Sequence, residues 1–304
     1  MTTSVCQGEP IRSVVGVVVT YNPDENLLRE QTRQLKSQVH AIVWVDNASA
    51  HSLDRLAAEL GVQLLQFEQN QGVARAQNAG VEAARRWGAD AVLLMDHDSV
   101  PAADMVVRLC QVMGPLPTVA AVGPHYRDPR GESASATPFV QIEGLSMKRL
   151  QRHASEDSVE VDHLIASGCL IRMQAWDQVG PMNEVLFVDF VDVEWCLRAR
   201  AQGWSVRGVW TAAMSHTIGH ELVTRFGRRF NVHSPARMYF HVRNGLVLYR
   251  QPWIPLNWRL VSAYRLLLKV GFYLVGGPQR RAYAVSMGRG LKDGWRLRLN
   301  GASR

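Results

Sequence analysis

Along the first 123 residues, short apolar runs alternate with helical stretches. The runs lie at residues 14–19, 41–45, 62–67, up to 95, and 119–123. The stretches between them, at 27–37, around 52–60 and 72–87, carry amphipathic or Ala-rich patterns. Strands and helices alternating at this spacing predict βαβ units and a mostly parallel sheet flanked by helices, an α/β fold. In such a sheet, ligands bind beyond the carboxyl ends of the strands. The residues that end each run therefore matter most.

The sharpest of these ends is LLMDHDSV, residues 93–100, where a buried run stops at Asp96 and Asp98. Two carboxylates this close repel unless a proton or cation compensates. A hard divalent ion, Mg²⁺ or Mn²⁺, is the natural partner for oxygen ligands and brings a phosphate with it. The competing reading is a capped helix start, with Asp98 or Ser99 as N-cap and Pro101 in the first turn. Thr20, Tyr21 and Asn22 end the first run and Asp46-Asn47 the second. An aromatic ring and a carboxylate on neighbouring strand ends can stack a base and accept its ring N–H. Asn70, Gly72, Arg75 and Asn78 lie at a helix start; Arg75 and Asn78 share a face. Asn is a poor helix former, so a ligand is one use for Asn78. No GxGxxG follows the first strand and no P-loop occurs, which argues against dinucleotide and P-loop sites.

A second acidic cluster, Asp189, Asp192 and Glu194, sits in FVDFVDVEWCLR. Asp192 and Glu194 suit a helix dipole. Apolar neighbours such as Phe187, Phe190 and Trp195 also raise a carboxylate's proton affinity, as a general base requires. His216 follows the run WTAAM and is a possible metal ligand. Arg237 and Arg243 are suited to gripping a diphosphate.

The chain has 304 residues, of which 47% are hydrophobic and 20% charged, as expected of a globular protein. Its four cysteines show no CxxC spacing, which suggests neither disulfides nor zinc and fits a reducing compartment. No secretory signal is expected from the first residues. The net charge of +7 is unevenly placed: residues 250–304 carry eleven Lys/Arg and one acid, so residues 1–249 sum to −3. The basic segment is also rich in Leu, Trp and Tyr, yet too short in its apolar run to span a bilayer. It predicts an amphipathic helix lying on an anionic membrane surface, with nucleic acid disfavoured. The expected organisation is a flexible N-terminus at 1–12, a catalytic domain at 13–249 and a helical tail at 250–304. Between residues 126 and 162 a long loop region is expected.

Taken in order, VVVTYN (17–22), VDNAS (45–49), NQGVARAQNAG (70–80), DHD (96–98), ASGCL (166–170) and FVDFVDVEWCLR (187–198) resemble the motifs of inverting family 2 glycosyltransferases with the GT-A fold. SHTIG (215–219) and MYFHVRNG (238–245) are similar to segments of bacterial rhamnosyltransferases. The resemblance covers about residues 13–250. It implies a Rossmann-like GT-A domain and transfer of a sugar, best guessed as L-rhamnose from dTDP-L-rhamnose. The basic tail, on which the resemblance is silent, suggests as acceptor a hydroxyl of a lipid-linked glycan or glycolipid, on the cytoplasmic face of the membrane. Thr20, Tyr21, Asn22, Asp46, Asn47, Asn70, Gly72, Arg75, Asn78 and Asp96 would bind the nucleotide. Asp96, Asp98 and His216 would hold the metal, and Asp192 would be the base. Ser167, Gly168, Asp189 and Glu194 would face the acceptor. Many relatives carry Glu-Asp at the base motif; here Val191 precedes Asp192. Two other readings remain at this stage. DHDSV also matches the nucleophile loop of haloacid-dehalogenase-like phosphatases, with Asp96 as nucleophile, and a non-catalytic membrane scaffold would use the tail alone.

Overall fold

The computed structural model describes residues 10–127, 139–153, 156–216, 221–225, 228–276 and 279–299, with backbone alone for 221–225 and 228–231. The alternation read from sequence is present. Strand β1 (Val14–Thr20) is followed by α1 (Glu25–Lys36), β2 (Ala41–Asp46), α2 (Asp54–Leu60), β3 (Gln63–Gln66), α3 (Val73–Arg86) and β4 (Ala91–Asp96). These strands pair in the order β3-β2-β1-β4, all parallel. Thr20 pairs with Asp46, and Val19 with Asp96, so three strand ends converge on one edge of the sheet. β1 is buried along its whole length, as the near-continuous β-branched run requires of a parallel strand covered on both faces. Helix α3 approaches β1 closely at Gly80, where an added Cβ would collide with Val17 Cγ1.

Beyond β4 the chain departs from simple alternation. Residues 99–101 form a short strand, β5 (Ser99–Pro101), and α4 begins only at Met105 (Met105–Met113). The capped helix start expected at Asp98 or Ser99 is therefore not formed. β5 is claimed instead by antiparallel pairing with a distant strand, with Ser99 opposite His216. β6 (Val119–Arg127) extends past the expected 123. The expected long loop carries a hairpin, β7 (Val140–Glu143) and β8 (Ser146–Arg149), and a short β9 (Ser158–Glu160). Only residues 169–172 of the strand-like 163–172 segment are extended, as β10 (Cys169–Arg172), which runs antiparallel to β4 and β6. Helices α5 (Met173–Val179) and α6 (Val191–Ala201) and the long β11 (Ser205–His216) complete the sheet, in the order β3-β2-β1-β4-β10-β6-β11-β5. β12 (Glu221–Arg225) and β13 (Arg228–Val232) form a hairpin.

Three helices follow: α7 (Pro235–Tyr249), α8 (Leu256–Val275) and α9 (Arg280–Arg296). The boundary drawn at 249/250 falls between α7 and α8, yet the two sides share a core. Met238 and Val242 of α7 are buried with Tyr273 of α8 and Tyr283 and Met287 of α9. Gly290 and Gly294 let α9 lie against the α7 backbone, since a Cβ at either would sit 2.6–2.7 Å from Tyr239 O or Arg243 O.

Candidate active site

The end of β4 and the end of β11 meet through β5. Asp96, Asp98 and His216 offer ligand atoms that all lie within 4.8 Å of one another. Burial, and then the Asp98 charge, push the Asp96 carboxyl up to about 6, while His216 pulls it back. Asp98 goes the other way: burial opposes ionisation, but the hydrogen bond and charge of His216 hold its pKa below the usual value. The Asp98 charge disfavours ionisation of Asp96, and the imidazole compensates chiefly Asp98.

This cluster is held from behind by Ser99, Ser167 and Gln31, of which Gln31 belongs to no motif read from the sequence. Ser99 Oγ, fully buried, lies 2.6 Å from His216 Nδ1 and accepts from Ser167 Oγ at 2.7 Å. Ser167 Oγ in turn accepts from Asp96 N. Gln31 of α1 donates to Asp96 O at 2.6 Å and Ser99 O at 2.5 Å, pinning the loop between the two carboxylates. Gly168 takes φ +81, and a Cβ there would press on Pro124 and Met214 at 2.7–2.8 Å. Ser167 and Gly168 are thus buried behind the acidic pair, supporting it, and not on an open acceptor face as expected.

The strand ends of β1 and β2 form a rigid frame. Asp46, buried, accepts from Thr20 Oγ1 (2.7 Å), Ser49 Oγ (2.5 Å) and Ser49 N (2.9 Å). Asn22, at φ +48, receives Ala50 N on its side chain and donates its own N–H to Ser49 Oγ. Asn47 donates to Asn70 Oδ1 and accepts from Gln71 N, and Asn70 Oδ1 also accepts from Gly72 N. Tyr21 remains 48% exposed beside this frame. Arg75 and Asn78 point elsewhere. Both bond Glu184 Oε1, and Asn78 also exchanges two hydrogen bonds with the Met182 backbone. They fasten α3 to the 182–184 segment.

The second acidic cluster is split by the fold. Phe187, Asp189 and Phe190 all adopt positive φ, a strained path for non-glycine residues. The loop is trapped by Asn244 of α7, whose buried amide donates to Leu186 O, Val188 O and Asp189 O. It also packs on Gly72: Val73 N donates to Phe187 O at 2.7 Å, and a Cβ at Gly72 would overlap that oxygen. Asp192 follows, in the first turn of α6, accepting from Ala166 N (3.1 Å) and Val193 N (2.8 Å). Burial raises its pKa above the ordinary carboxylate value, and its charge reaches both Asp96 and the neighbouring His163. Asp192 is linked to the Asp96–Asp98 pair through neighbouring residues: it accepts from Ala166 N, and the next residue, Ser167, accepts from Asp96 N. Glu194 is 1% exposed and locked to Arg198 at 2.8 Å, a structural ion pair and not an acceptor contact. Asp189 is bound by Arg237 through Nε and a terminal nitrogen, at 3.0–3.3 Å. Arg237 also feels Asp96 and Asp192, but Arg243 is spent on Val185 O, Leu186 O and Asn244. Residues 217–220 of SHTIGH, and the side chains of Arg225, Arg228 and Arg229, lie outside the described residues.

A parallel sheet with a DxD-like pair on the edge where strands β1, β2 and β4 end is the GT-A arrangement of nucleotide-sugar enzymes. Residues 16–180 match the family described as glycosyl transferase family 2, and the chain belongs to it. It is a glycosyltransferase that uses a nucleotide-sugar donor. It is 32% identical over 248 residues to the dTDP-rhamnosyl transferase RfbF of Shigella flexneri, covering 80% of this chain and 82% of that protein. It is 20% identical to the low-salt glycan biosynthesis hexosyltransferase Agl10 of Haloferax volcanii, covering 76% and 75%. Among solved structures, S. aureus TarS 1-349 superposes with a TM-score of 0.61 at 15% identity, covering 93% of this chain and 81% of that one. GalNAc-T7 with UDP, GalNAc and Mn2+ superposes at 0.60 and 12% identity over 84% of this chain; the chain spans 55% of that structure's length. These likenesses fix the fold and leave the haloacid-dehalogenase reading without support: Asp96 ends the fourth strand and not the first.

Proposed function

We propose that this chain transfers L-rhamnose from dTDP-L-rhamnose, with inversion, to a hydroxyl of a lipid-linked glycan or glycolipid. The observation that supports the reading is the Asp96–Asp98–His216 group, with Asp192 joined to it through the Ala166-Ser167 segment. The rhamnosyl donor is supported by the likeness to RfbF of Shigella flexneri. Two carboxylates and an imidazole within 4.8 Å suit Mg²⁺ or Mn²⁺. Bound there, the ion would neutralise the departing diphosphate. Thr20, Asp46, Asn47 and Asn70 present a preformed frame for the nucleoside, with the exposed Tyr21 ring available to a base. Asn22 and Gly72 set the shape of that frame. Arg237 adds a cation on the diphosphate side. Asp192 takes the proton of the acceptor hydroxyl from the face opposite the leaving group, so a single base suffices for inversion.

The tail supports a place on the anionic inner face of the cytoplasmic membrane. Leu256, Leu260, Tyr264, Leu267 and Leu268 are exposed and recur at helical spacing along α8, with Leu267 69% exposed. No described helix is long and apolar enough to cross a membrane. An apolar stripe on a basic helix fits adsorption to the interface.

The test is a nucleotide-sugar panel assayed for nucleoside diphosphate release with Mn²⁺, with Mg²⁺ and with chelator. Metal-dependent release from dTDP-L-rhamnose, in the presence of membrane lipid extract, is the expected result. Equal turnover with chelator would remove the metal assignment, and preference for another sugar nucleotide would remove the rhamnosyl one.

A further inference from the structure

Around Asp189 lies a group of basic side chains, of which only Arg237 enters the transfer chemistry described above. His233, Arg237 and His241 stand at intervals of four, on and just ahead of α7, and so share one face. Lys269 of α8 meets them, with Nζ 3.0 Å from His241 Nε2. The His233 and His241 rings are 5.1 Å apart, and His241 Nε2 is 3.8 Å from Asp189 Oδ2. Among the described residues Asp189 is the carboxylate inside this group, and Arg237 already holds both of its oxygens.

Lys269 is consequently a largely buried ammonium whose nearest polar partner is an imidazole. Among the described residues it has no carboxylate at ion-pair distance. Burial, with Arg237 and Arg265 nearby, lowers its pKa to about 8 despite the attraction of Asp189. His233 and His241 are pushed further down, to about 3 and about 4, chiefly by burial and in part by the same cations. His233 Nδ1 is buried without a hydrogen-bond partner. Buried positive charge left unmatched, next to an orphaned ring nitrogen, is costly unless an anion completes it.

We propose that His233, His241 and Lys269 form a subsite for a phosphate group carried by the acceptor. The donor's diphosphate does not account for it. Lys269 bonds His241, which approaches Asp189, and is not one of the candidate metal residues. It also belongs to α8, whose other face carries the exposed Leu260, Tyr264, Leu267 and Leu268. One helix would thus rest on lipid while its inward ammonium holds a phosphate. Ammonium and imidazole donors suit phosphate oxygens through charge-assisted hydrogen bonds. The idea rests on the glycosyltransferase reading, and deepens it by giving the acceptor an anionic handle.

The test uses the full chain, with chelator and without donor, so that it is independent of metal-dependent transfer. Inorganic phosphate is titrated by calorimetry into wild type, Lys269→Gln, Lys269→Arg and Lys292→Gln. Lys292 is an exposed tail residue that controls for lost charge. Wild type and Lys292→Gln should show one saturable site. Lys269→Gln should weaken it about ten- to hundredfold, and Lys269→Arg should keep most of it. No saturable binding to wild type, or equal binding to Lys269→Gln, overturns the proposal. A melting curve for each variant separates lost binding from lost fold. A second arm measures flotation with phosphatidylcholine vesicles, with and without phosphatidic acid. A phosphatidic-acid increment absent from Lys269→Gln assigns the phosphate to a lipid. No increment, with intact inorganic phosphate binding, assigns it to a soluble sugar phosphate. Failure here leaves the transferase reading standing, because nucleoside diphosphate release is measured separately.

Discussion

Ser99 Oγ lies 2.6 Å from His216 Nδ1, and this contact joins the acidic loop after β4 to the far end of β11. His216 is 117 residues from Ser99, yet strand pairing sets the two directly opposite each other. The hydroxyl does more than fill space: it fixes which way the imidazole faces. Residues that orient a metal ligand typically change affinity about 10–100-fold when lost. Ser99→Ala should weaken Mn²⁺ binding by that factor, with little change in melting temperature, as read by calorimetric titration. Unchanged Mn²⁺ affinity would show that His216 is oriented by other means.

The two acidic clusters should separate functionally. Asp98→Asn is expected to abolish metal-dependent donor binding. Asp192→Asn should leave donor binding within a few-fold and reduce turnover about 10²–10⁴-fold. Binding is read by donor-induced thermal shift and turnover by nucleoside diphosphate release. A near wild-type rate for Asp192→Asn would reassign the base.

Much of this was legible in the chain, for reasons that can be stated. The runs at 14–19 and 41–45 are strands because β-branched residues buried on both faces fit nothing else of that length. Asp96 and Asp98 stand out because carboxylates directly after an apolar run require a partner. What escaped was whatever depends on long-range pairing. Residues 99–101 read locally as a helix start and became a strand only because β11 arrives beside them. Glu194 was two residues from Asp192 and looked equivalent. On a helix, however, two residues make a turn of about 200°, and Glu194 faces Arg198 one turn on. Arg75 and Asn78 were correctly placed on one face, but that face meets Glu184, 106 residues away from Asn78. Asn244, which clamps the strained 187–190 loop, lies in the MYFHVRNG segment, but nothing local tells that its amide reaches back to residues 186–189.

Proton competition should govern metal binding. Asp96 keeps its proton up to about pH 6 because of burial and the Asp98 charge. A cation needs the ionised form, so apparent Mn²⁺ affinity should fall about tenfold per pH unit below that point and level off above it. The same raised value means that the metal-free fold loses stability as pH rises from the ordinary carboxylate range through about 6. Bound Mn²⁺ should offset this loss. Titrations at about pH 5 and about pH 7.5 test the slope, and Asp96→Asn should flatten it. A pH-independent affinity in wild type would contradict the assignment of Asp96 as a ligand.

Helix α3 sets the depth of the nucleotide frame through its contact with β1. A Cβ at position 80 would strike Val17 and press on Val45 at 3.1 Å. Gly80→Ala should cost about 1–3 kcal/mol, the range for an overpacked core. A lower urea midpoint at unchanged slope is the expected reading. No shift in midpoint would mean that α3 can move off the sheet without penalty.

Membrane adsorption cannot be tested cleanly by removing the tail. Cutting the chain after Tyr249 would strip α8 and α9 from α7 and bare Met238 and Val242, which they cover. Point changes on the outer face avoid this. Leu267 and Leu268 are 69% and 57% exposed, so a double change to Asp removes little packing. It does remove apolar contact with lipid and adds two negative charges against an anionic surface, where each charge is worth about 1 kcal/mol. Sedimentation with anionic liposomes should drop by at least about tenfold in partition coefficient, with the melting temperature held. Raising the salt should weaken wild-type binding as well, since the basic residues of α8 and α9 act through a screened field. If the double variant sediments like wild type, α8 faces a protein partner or a second copy of this chain, and the membrane assignment falls.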